Sequence, residues 1–165
     1  MRIILILIDM EKKFELTDKF VFNTFGIKLF QIKCTKSFKY AKEGDLGGYV
    51  EKDENLDQES NAWVYGDAWV YGNARVSGDA RVYGDADIEN DNNHCGFDCF
   101  GSCNRHTHAY LTKDNKVEIT CGCFRGSIEE FEKKVEKTHS GTIYEKQYKA
   151  IINVIKIKFG LTDLI

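Results

Sequence analysis

Apolar residues recur every six positions through the middle of the chain, and glycine followed by Asp or Asn separates the units. A period of six fits neither an α-helix nor one long strand, but Trp63–Tyr65 alternates as a short strand does. Glycine then permits a turn. Residues 49–91 are therefore predicted to coil around a narrow core. The inward positions are Val64, Val70, Val76, Val82 and Ile88, with Ala62, Ala68, Ala74, Ala80 and Ala86.

The segment before the repeat predicts a β-hairpin. Within residues 1–48, KFVFNTFGIKLFQIKCTKSF alternates apolar and polar residues around an Asn-Thr-Phe-Gly turn. An end coil exposes apolar core and unpaired strand edges, so it needs a cover. We expect residues 1–48 to form this N-terminal cap.

Residues 92–165 predict a ββαα module after the repeat. HAYLTKDNKVEITCGCF has the pattern of a second hairpin. Ser127 with Glu130 predicts a capping box at the start of one helix, and Thr142 with Glu145 predicts another at the next. The predicted fold class is mainly β with α, a short parallel β-helix between the N-terminal hairpin and the ββαα module.

Four consecutive units read V-x-G-D/N-A-x, at 64–69, 70–75, 76–81 and 82–87. They resemble the hexapeptide-repeat, left-handed β-helix family, over about residues 49–90. The resemblance implies three hexads per left-handed coil, so that equivalent positions recur every eighteen residues. It also places Val50 and Leu56 in the alanine column. The pairs that it stacks are Trp63 with Arg81 and Tyr65 with Tyr83.

The C-terminal module carries a second resemblance. FGSCNRHTHAYLT together with CGCFRGSIEEFEKKV resembles a module of uncharacterised phage and prophage proteins, where it often follows hexapeptide-type repeats. This implies a viral accessory protein that acts in a bacterial host.

Charge is unevenly distributed along the chain. Residues 49–91 hold eleven acidic and three basic residues, and the remainder holds fifteen acidic and twenty basic ones. The acidic repeat is therefore not expected to bind DNA. The longest apolar run, Ile3–Ile8, is far shorter than the roughly 20 residues of a membrane span and lacks a signal-peptide cleavage site. A cytoplasmic protein without membrane contact is expected, with Met10 as a second possible start.

Six cysteines without an export signal predict free thiols or a metal rather than disulfides. Thiolates near histidines suit zinc, but the C-x3-C-x3-C and C-x-C spacings differ from the C-x2-C pairs of common structural sites. Small buried thiols are the alternative, and no other cofactor is indicated. The candidate zinc ligands are Cys95, Cys99, Cys103, Cys121 and Cys123.

An anion site is predicted where Arg125 meets the first helix, because unpaired N–H groups and the helix dipole favour negative charge there. A neighbouring strand starting near Asn104 would add basic donors. The alternative is that Ser127 only caps the helix and Arg125 is solvated. The candidate ligand-binding residues are Asn104, Arg105, His106, His108, Arg125, Gly126 and Ser127.

Large aromatic residues at outward positions of the repeat predict a contact surface. The hexapeptide-repeat resemblance implies homotrimers with parallel coils, and we expect these rings to meet other copies of the chain, with ligand clefts between subunits. The rings are Trp63, Tyr65, Trp69, Tyr71 and Tyr83.

Three functions are compatible with these patterns. The first is a non-enzymatic phage-encoded inhibitor of host defence, which binds a defence protein or sequesters a nucleotide-like ligand. The second is a hexapeptide-type acyltransferase, which needs a histidine base beside the coil, and His94 is the only near candidate. The third is a structural virion component. The first is the preferred hypothesis.

Overall fold

The computed structural model describes residues 11–162 and shows a mainly β fold with two C-terminal helices in that range. The run Ile3–Ile8 and the second start at Met10 lie outside the described residues. Within residues 11–162, no helix is both long and apolar enough to cross a membrane. The elements are β1 Phe14–Phe22, β2 Lys28–Cys34, β3 Leu46–Val50, β4 Trp63–Val64, β5 Trp69–Val70, β6 Arg81–Val82, β7 Asp87–Ile88, β8 His94–Phe100, β9 Arg105–Leu111, β10 Val117–Cys121, β11 Phe124–Ser127, α1 Ile128–His139 and α2 Ile143–Lys158.

β1 and β2 form the predicted N-terminal hairpin, with Phe22 opposite Lys28 at its closed end. Asn23 shapes the turn, because its Oδ1 accepts hydrogen bonds from the backbone N–H groups of Phe25 and Ile27, each at 2.9 Å. β2 also pairs with β3, and β3 pairs in parallel with β5 of the repeat. The hairpin and one side of the repeat therefore share a five-stranded sheet.

The repeat is built from parallel pairs of very short strands. Val64 lies beside Val82, and Val70 lies beside Ile88, so that paired residues are eighteen positions apart. All ten predicted inward residues are buried, and none is more than 3% exposed. The predicted inward set and the spacing of equivalent positions are confirmed.

The start of the repeat follows a different register from the predicted one. Val50 pairs with Val70 and Leu56 pairs with Val76, so both lie in the valine column and not in the alanine column. The physical reason is an insertion: Leu56 and Val64 are eight residues apart instead of six. A turn in which Asp57 Oδ2 accepts a hydrogen bond from Ser60 N–H accommodates the additional residues.

A lysine lies at the junction of the hairpin and the repeat, where sequence patterns predict only a generic cap. Lys13 is 5% exposed, and its Nζ donates hydrogen bonds to the carbonyls of Ser60 and Ala62, both at 2.8 Å. The ammonium also lies 4.9 Å from the centroid of the Phe38 ring. Burial lowers the pKa of Lys13 to about 8.

The Lys13→Met variant is expected to lose a pH dependence of stability. Between pH 8 and 10.5 the unfolded lysine holds a proton that the folded one has released, so the free energy of unfolding rises with pH in this window. Relative to Lys13→Met, the wild type should gain up to about 1.4 kcal/mol per pH unit there. Urea unfolding of both proteins across the window measures the difference. The Lys33→Met variant, which removes an exposed lysine of β2, is the control for the substitution itself, and a slope for Lys13→Met equal to that of the wild type would contradict the prediction.

The C-terminal part contains four antiparallel strands in the order β11-β10-β9-β8, followed by α1 and α2. The predicted hairpin is β9 with β10, so the ββαα prediction lacked β8 and β11. Both strands have weak local signals: β8 is rich in Cys, Gly and Asp, and β11 has only four residues. The helices pack on one face of the sheet, around Ile119, Phe131 and Ile151.

The other face of this sheet packs against the repeat. The hydroxyl of Thr120 donates to the carbonyl of Arg81 at 3.2 Å, and the backbone N–H of Tyr83 donates to the Tyr110 hydroxyl at 3.3 Å. Tyr110 is fully buried there. The last part of the repeat is thus covered by the C-terminal sheet, which leaves less of its apolar core and strand edges in contact with water.

The predicted caps differ between the two helices. Ser127 and Glu130 form the predicted capping box, with reciprocal hydrogen bonds of 2.8 and 3.2 Å. Thr142 Oγ1 accepts from the backbone N–H of Glu145, but the Glu145 carboxylate accepts from Gly141 N–H, one residue before the cap. The second cap is therefore only partly of the predicted kind.

Candidate functional site

A pocket of about 480 Å³ opens between the C-terminal sheet and the helices. A row of rings lines it: the centroid of Phe131 lies 5.0 Å from that of Phe124 and 5.5 Å from that of Tyr148. His139 continues the row, 5.5 Å from Tyr148. The volume is within the roughly 300–1,000 Å³ that small-molecule sites occupy. The pocket therefore offers flat apolar surfaces to a ligand of moderate size.

The charged groups of this pocket are all basic. Arg105, Arg125 and Lys134 line it, together with His139, and among the described residues no Asp or Glu contributes to its wall. Ser102 and Thr138 add hydroxyl groups. Basic side chains in a wall without a described carboxylate favour an anionic ligand.

Arg125 is held at the edge of the pocket by an ion pair and a ring. Its Nε donates to Glu118 Oε1 at 2.7 Å, and its guanidinium lies 5.3 Å from the Tyr83 centroid. The bond to Glu118 raises the pKa of Arg125. Glu118 also accepts a 2.5 Å hydrogen bond from the Tyr110 hydroxyl. These contacts lie on the repeat-facing side of the sheet and already engage the guanidinium, so Arg125 borders the pocket with its charge partly balanced by Glu118.

Arg105 lies against the turn between β10 and β11. Gly122, in the left-handed region at φ +57°, leaves space for its guanidinium, and a Cβ at residue 122 would collide with Nη1. The Arg81 guanidinium donates to the carbonyl of Gly122 and anchors the turn to the repeat. Within residues 11–162, no hydrogen bond or ion pair engages the exposed Arg105 side chain. Arg105 is thus a donor available to a ligand.

Five of the seven predicted ligand-binding residues do not line this pocket. Strand alternation separates those on β9, because Arg105 and Thr107 face the helices whereas His106 and His108 face the repeat. Ser127 acts as the helix cap, which was the alternative interpretation. Asn104, His106, His108, Gly126 and Ser127 therefore lie outside the pocket wall, and ligand binding by them stays a prediction, whereas Arg105 and Arg125 both line the wall.

The histidines form a separate polar cluster on the repeat-facing side of the sheet. His94 Nδ1 lies 3.0 Å from His108 Nε2, and His94 Nε2 lies 3.2 Å from Asp91 Oδ1. Burial lowers the pKa of His94, and lowers that of the fully buried His108 still further. Both ring nitrogens of His94 are thus engaged, although the acyltransferase hypothesis would use this residue as a base.

Three of the predicted zinc ligands line the pocket, namely Cys103, Cys121 and Cys123, whereas Cys95 and Cys99 do not. Cys121 is buried, and its Sγ accepts a 3.3 Å hydrogen bond from the Thr107 hydroxyl. Among the described residues, no group of three or more His, Cys, Asp or Glu side chains is arranged to hold a metal ion. Zinc binding by these thiols stays a prediction without an assembled ligand set.

The aromatic residues of the repeat are largely covered by the chain itself. Trp63 is 1% exposed and packs edge-on against Phe14 and Phe38, and Tyr71 is 2% exposed. The prediction that these two rings point outward is wrong, because the N-terminal hairpin and the segment after it cover that side of the repeat. Arg81 pairs in register with Trp63 as expected, and its guanidinium lies over the Tyr40 ring, 5.0 Å from the centroid.

The remaining rings also have partners within the chain. Tyr65 and Tyr83 stack as predicted, with centroids 4.4 Å apart and planes 4° from parallel. The ammonium of Lys113 lies 3.8 Å from the Trp69 centroid. These three rings are only half-buried. The predicted homotrimer gains no support from the five rings and stays a prediction.

No known protein-family model matches the chain, and comparison with curated proteins finds no match either. The chemistry of the pocket is therefore the basis on which a function is assigned.

Sequence patterns did not identify the helical wall of the pocket. Lys134, His139 and Tyr148 belong to helices that were interpreted only as core and surface. A signal was present: besides His139 at its end, α1 carries pocket-lining residues at i, i+3, i+4 and i+7, so they share one face. That face includes a lysine and a threonine beside two apolar residues. They are Phe131, Lys134, Val135 and Thr138.

Proposed function

We propose that this protein is a non-enzymatic binding protein that takes a small nucleotide-like anion into the pocket between the C-terminal sheet and the helices. One observation carries the proposal: three basic side chains and a row of rings line one cavity, without a carboxylate in its described wall. Phosphate oxygens are good acceptors for arginine, because the planar guanidinium can donate two parallel N–H hydrogen bonds to them.

The two halves of a nucleotide match the two kinds of wall. Arg105 and Lys134 would neutralise phosphate, with Arg125 and its partner Glu118 at the edge of the pocket, and the guanidinium of Arg105 has no competing partner among residues 11–162. A base or sugar would contact the apolar wall formed by Phe124 and its neighbouring rings. His108 contacts His94, His106 contacts Asp98, and Ser127 caps α1, so the pocket is the place where binding is proposed.

The biological role that we propose is inhibition of bacterial host defence in the cytoplasm of an infected cell. The support comes from the resemblance of the C-terminal segment to phage and prophage modules. Of the two modes considered, sequestration of a nucleotide signal accounts for the basic pocket. Occupation of a host defence protein would leave that pocket without a use.

The scaffold of this site is proposed to be a short parallel β-helix. Its support is the pairing of residues eighteen positions apart, Trp63 with Arg81 and Trp69 with Asp87, in register with the V-x-G-D/N-A-x units. Burial of the valine and alanine columns also supports it. The repeat has a function in this proposal, because Arg81 contacts the Gly122 turn and Tyr83 contacts Arg125.

The proposal is tested by thermal unfolding with a panel of probes. Mononucleotides, cyclic mononucleotides and cyclic dinucleotides are each added to the full chain, with adenosine as the uncharged control. At least one nucleotide should raise the melting temperature, whereas adenosine should not, because only the bound form is stabilised. The absence of a shift with every nucleotide would overturn sequestration and leave only the protein-partner mode.

Lys134 and Lys133 provide a matched pair for locating the site. They are adjacent exposed lysines of α1, but only Lys134 lines the pocket. Lys134→Ala should weaken nucleotide binding about three- to tenfold, which corresponds to roughly 0.7–1.4 kcal/mol. Lys133→Ala should leave the affinity unchanged. Isothermal titration of the two variants measures both affinities, and equal affinities would show that the nucleotide binds outside this pocket.

A further inference from the structure

Two exposed thiols share the pocket with its basic groups. Cys103 and Cys123 both line the cavity and are solvent-exposed, whereas the third thiol of the pocket, Cys121, is buried. The Sγ of Cys121 lies 3.3 Å from Thr107 Oγ1 and 3.7 Å from the Tyr148 hydroxyl. Cys121 is thus packed into the core, and Cys103 and Cys123 are the thiols that a reagent in the pocket reaches.

The positions of these two thiols follow from the local fold. Cys123 is in the turn that joins β10 to β11 and directly follows Gly122, against which the guanidinium of Arg105 lies. Cys103 is in the turn between β8 and β9, two residues before Arg105. A reagent that carries negative charge would be concentrated at both sulfur atoms by the same arginines that we assign to phosphate.

The chain also contains an internal control. Cys99 is an exposed thiol at the end of β8, but it does not line the pocket and its neighbour in sequence is Asp98. Exposure alone would make Cys99, Cys103 and Cys123 react alike with any thiol reagent. A difference that depends on the charge of the reagent would therefore show that the basic groups of the pocket influence the reactivity of its thiols.

We propose that Cys103 and Cys123 form a modification site for anionic disulfides, a class that includes glutathione disulfide. In this step the thiolate sulfur attacks one sulfur of the disulfide, the original S–S bond breaks, and a protein–reagent S–S bond forms. The other half of the reagent leaves as an anionic thiolate and takes the electron pair of the broken bond. The disulfide itself is the oxidant, so no further reactant is needed.

This modification uses the pocket of the proposed function but does not depend on nucleotide binding. A mixed disulfide at Cys123 would place an anionic group beside Arg105 and would occupy the space assigned to phosphate. The modification would thus couple nucleotide capture to the redox state of the host cell. If no nucleotide binds and charge selectivity is still found, the proposed function fails and the modification site stands.

The test compares two aromatic disulfides of different charge on the unmodified full chain. Dithiobis(nitrobenzoate) carries a carboxylate on each ring, and dithiodipyridine is neutral. Peptide mapping by mass spectrometry after short exposures gives a rate constant for each cysteine with each reagent. For each cysteine, the rate constant with the anionic reagent is divided by the rate constant with the neutral one. At low salt, this ratio should be about tenfold or more higher for Cys123 and Cys103 than for Cys99.

Two further measurements distinguish charge from simple access. Added salt should reduce the ratio at Cys123 toward that at Cys99, because screening weakens attraction between the reagent and the arginines. Arg105→Ala should have a similar effect on Cys123, with the neutral reagent as the control for a change in access. Equal ratios at Cys99, Cys103 and Cys123 in the wild type would overturn the proposal without the use of any variant.

Discussion

The Val76→Asp variant is expected not to fold. Val76 is fully buried in the valine column, where it pairs with Leu56. It belongs to a cluster of buried apolar side chains, which offers an ionised carboxylate no partner. An unpaired buried charge costs several kcal/mol, and the total stability of a domain is only about 5–15 kcal/mol. The repeat joins the hairpin to the C-terminal sheet, so we expect the loss to extend through the chain.

Circular dichroism and limited proteolysis measure this effect, and Ser77→Asp is the matched control. Ser77 is the adjacent residue, is exposed, and receives the same new charge. Ser77→Asp should keep the wild-type spectrum, and its free energy of unfolding should stay within about 0.5 kcal/mol of the wild-type value. A folded Val76→Asp protein with wild-type stability would contradict the inward direction of the valine column, on which the scaffold depends.

The Arg105→Ala variant is expected to lose most nucleotide binding and keep its fold. The side chain is exposed and, within the described part of the chain, makes no hydrogen bond or ion pair. Its removal therefore costs little stability, but it deprives phosphate of a charge-assisted donor. Such bonds contribute about 1.5–3 kcal/mol, so the dissociation constant should rise roughly ten- to 150-fold.

Isothermal titration with the nucleotide that gives the largest thermal shift checks this prediction. Arg75→Ala is the control, because Arg75 is an exposed arginine of the repeat outside the pocket, paired with Asp57 at 3.0 Å. It should bind the nucleotide as the wild type does. Unchanged affinity in Arg105→Ala, with an unchanged melting temperature, would remove Arg105 from the site.

Local patterns were sufficient for the elements that have strong local signals. The six-residue spacing predicted the buried columns, the Asn-Thr-Phe-Gly turn predicted the first hairpin, and Ser127 with Glu130 predicted the start of α1. Each of these depends on residues close together in sequence. β8 and β11 have no such signal, because they are stabilised by pairing with β9 and β10 rather than by their own composition.

The site was only partly predictable for the same physical reason. Arg105 lies on β9 and Arg125 on β11, and both strands pair with β10, so short-range pairing brings both residues to the pocket wall. The burial of Trp63 depends on Phe14, which is distant in sequence. The contribution of Tyr148 to the pocket wall depends on how α2 packs on α1. No periodicity within one segment contains these contacts, so local patterns predict neither the burial of Trp63 nor the place of Tyr148 in the pocket wall.

The central claim is that a nucleotide binds between Arg105, Arg125 and Lys134. Its most direct measurement is NMR of the arginine side-chain Nε–H groups during titration with the nucleotide that stabilises the chain most. The Arg105 and Arg125 resonances should shift together along one saturable curve, while that of Arg75 stays in place. Saturable binding that leaves both pocket resonances unmoved would contradict the claim.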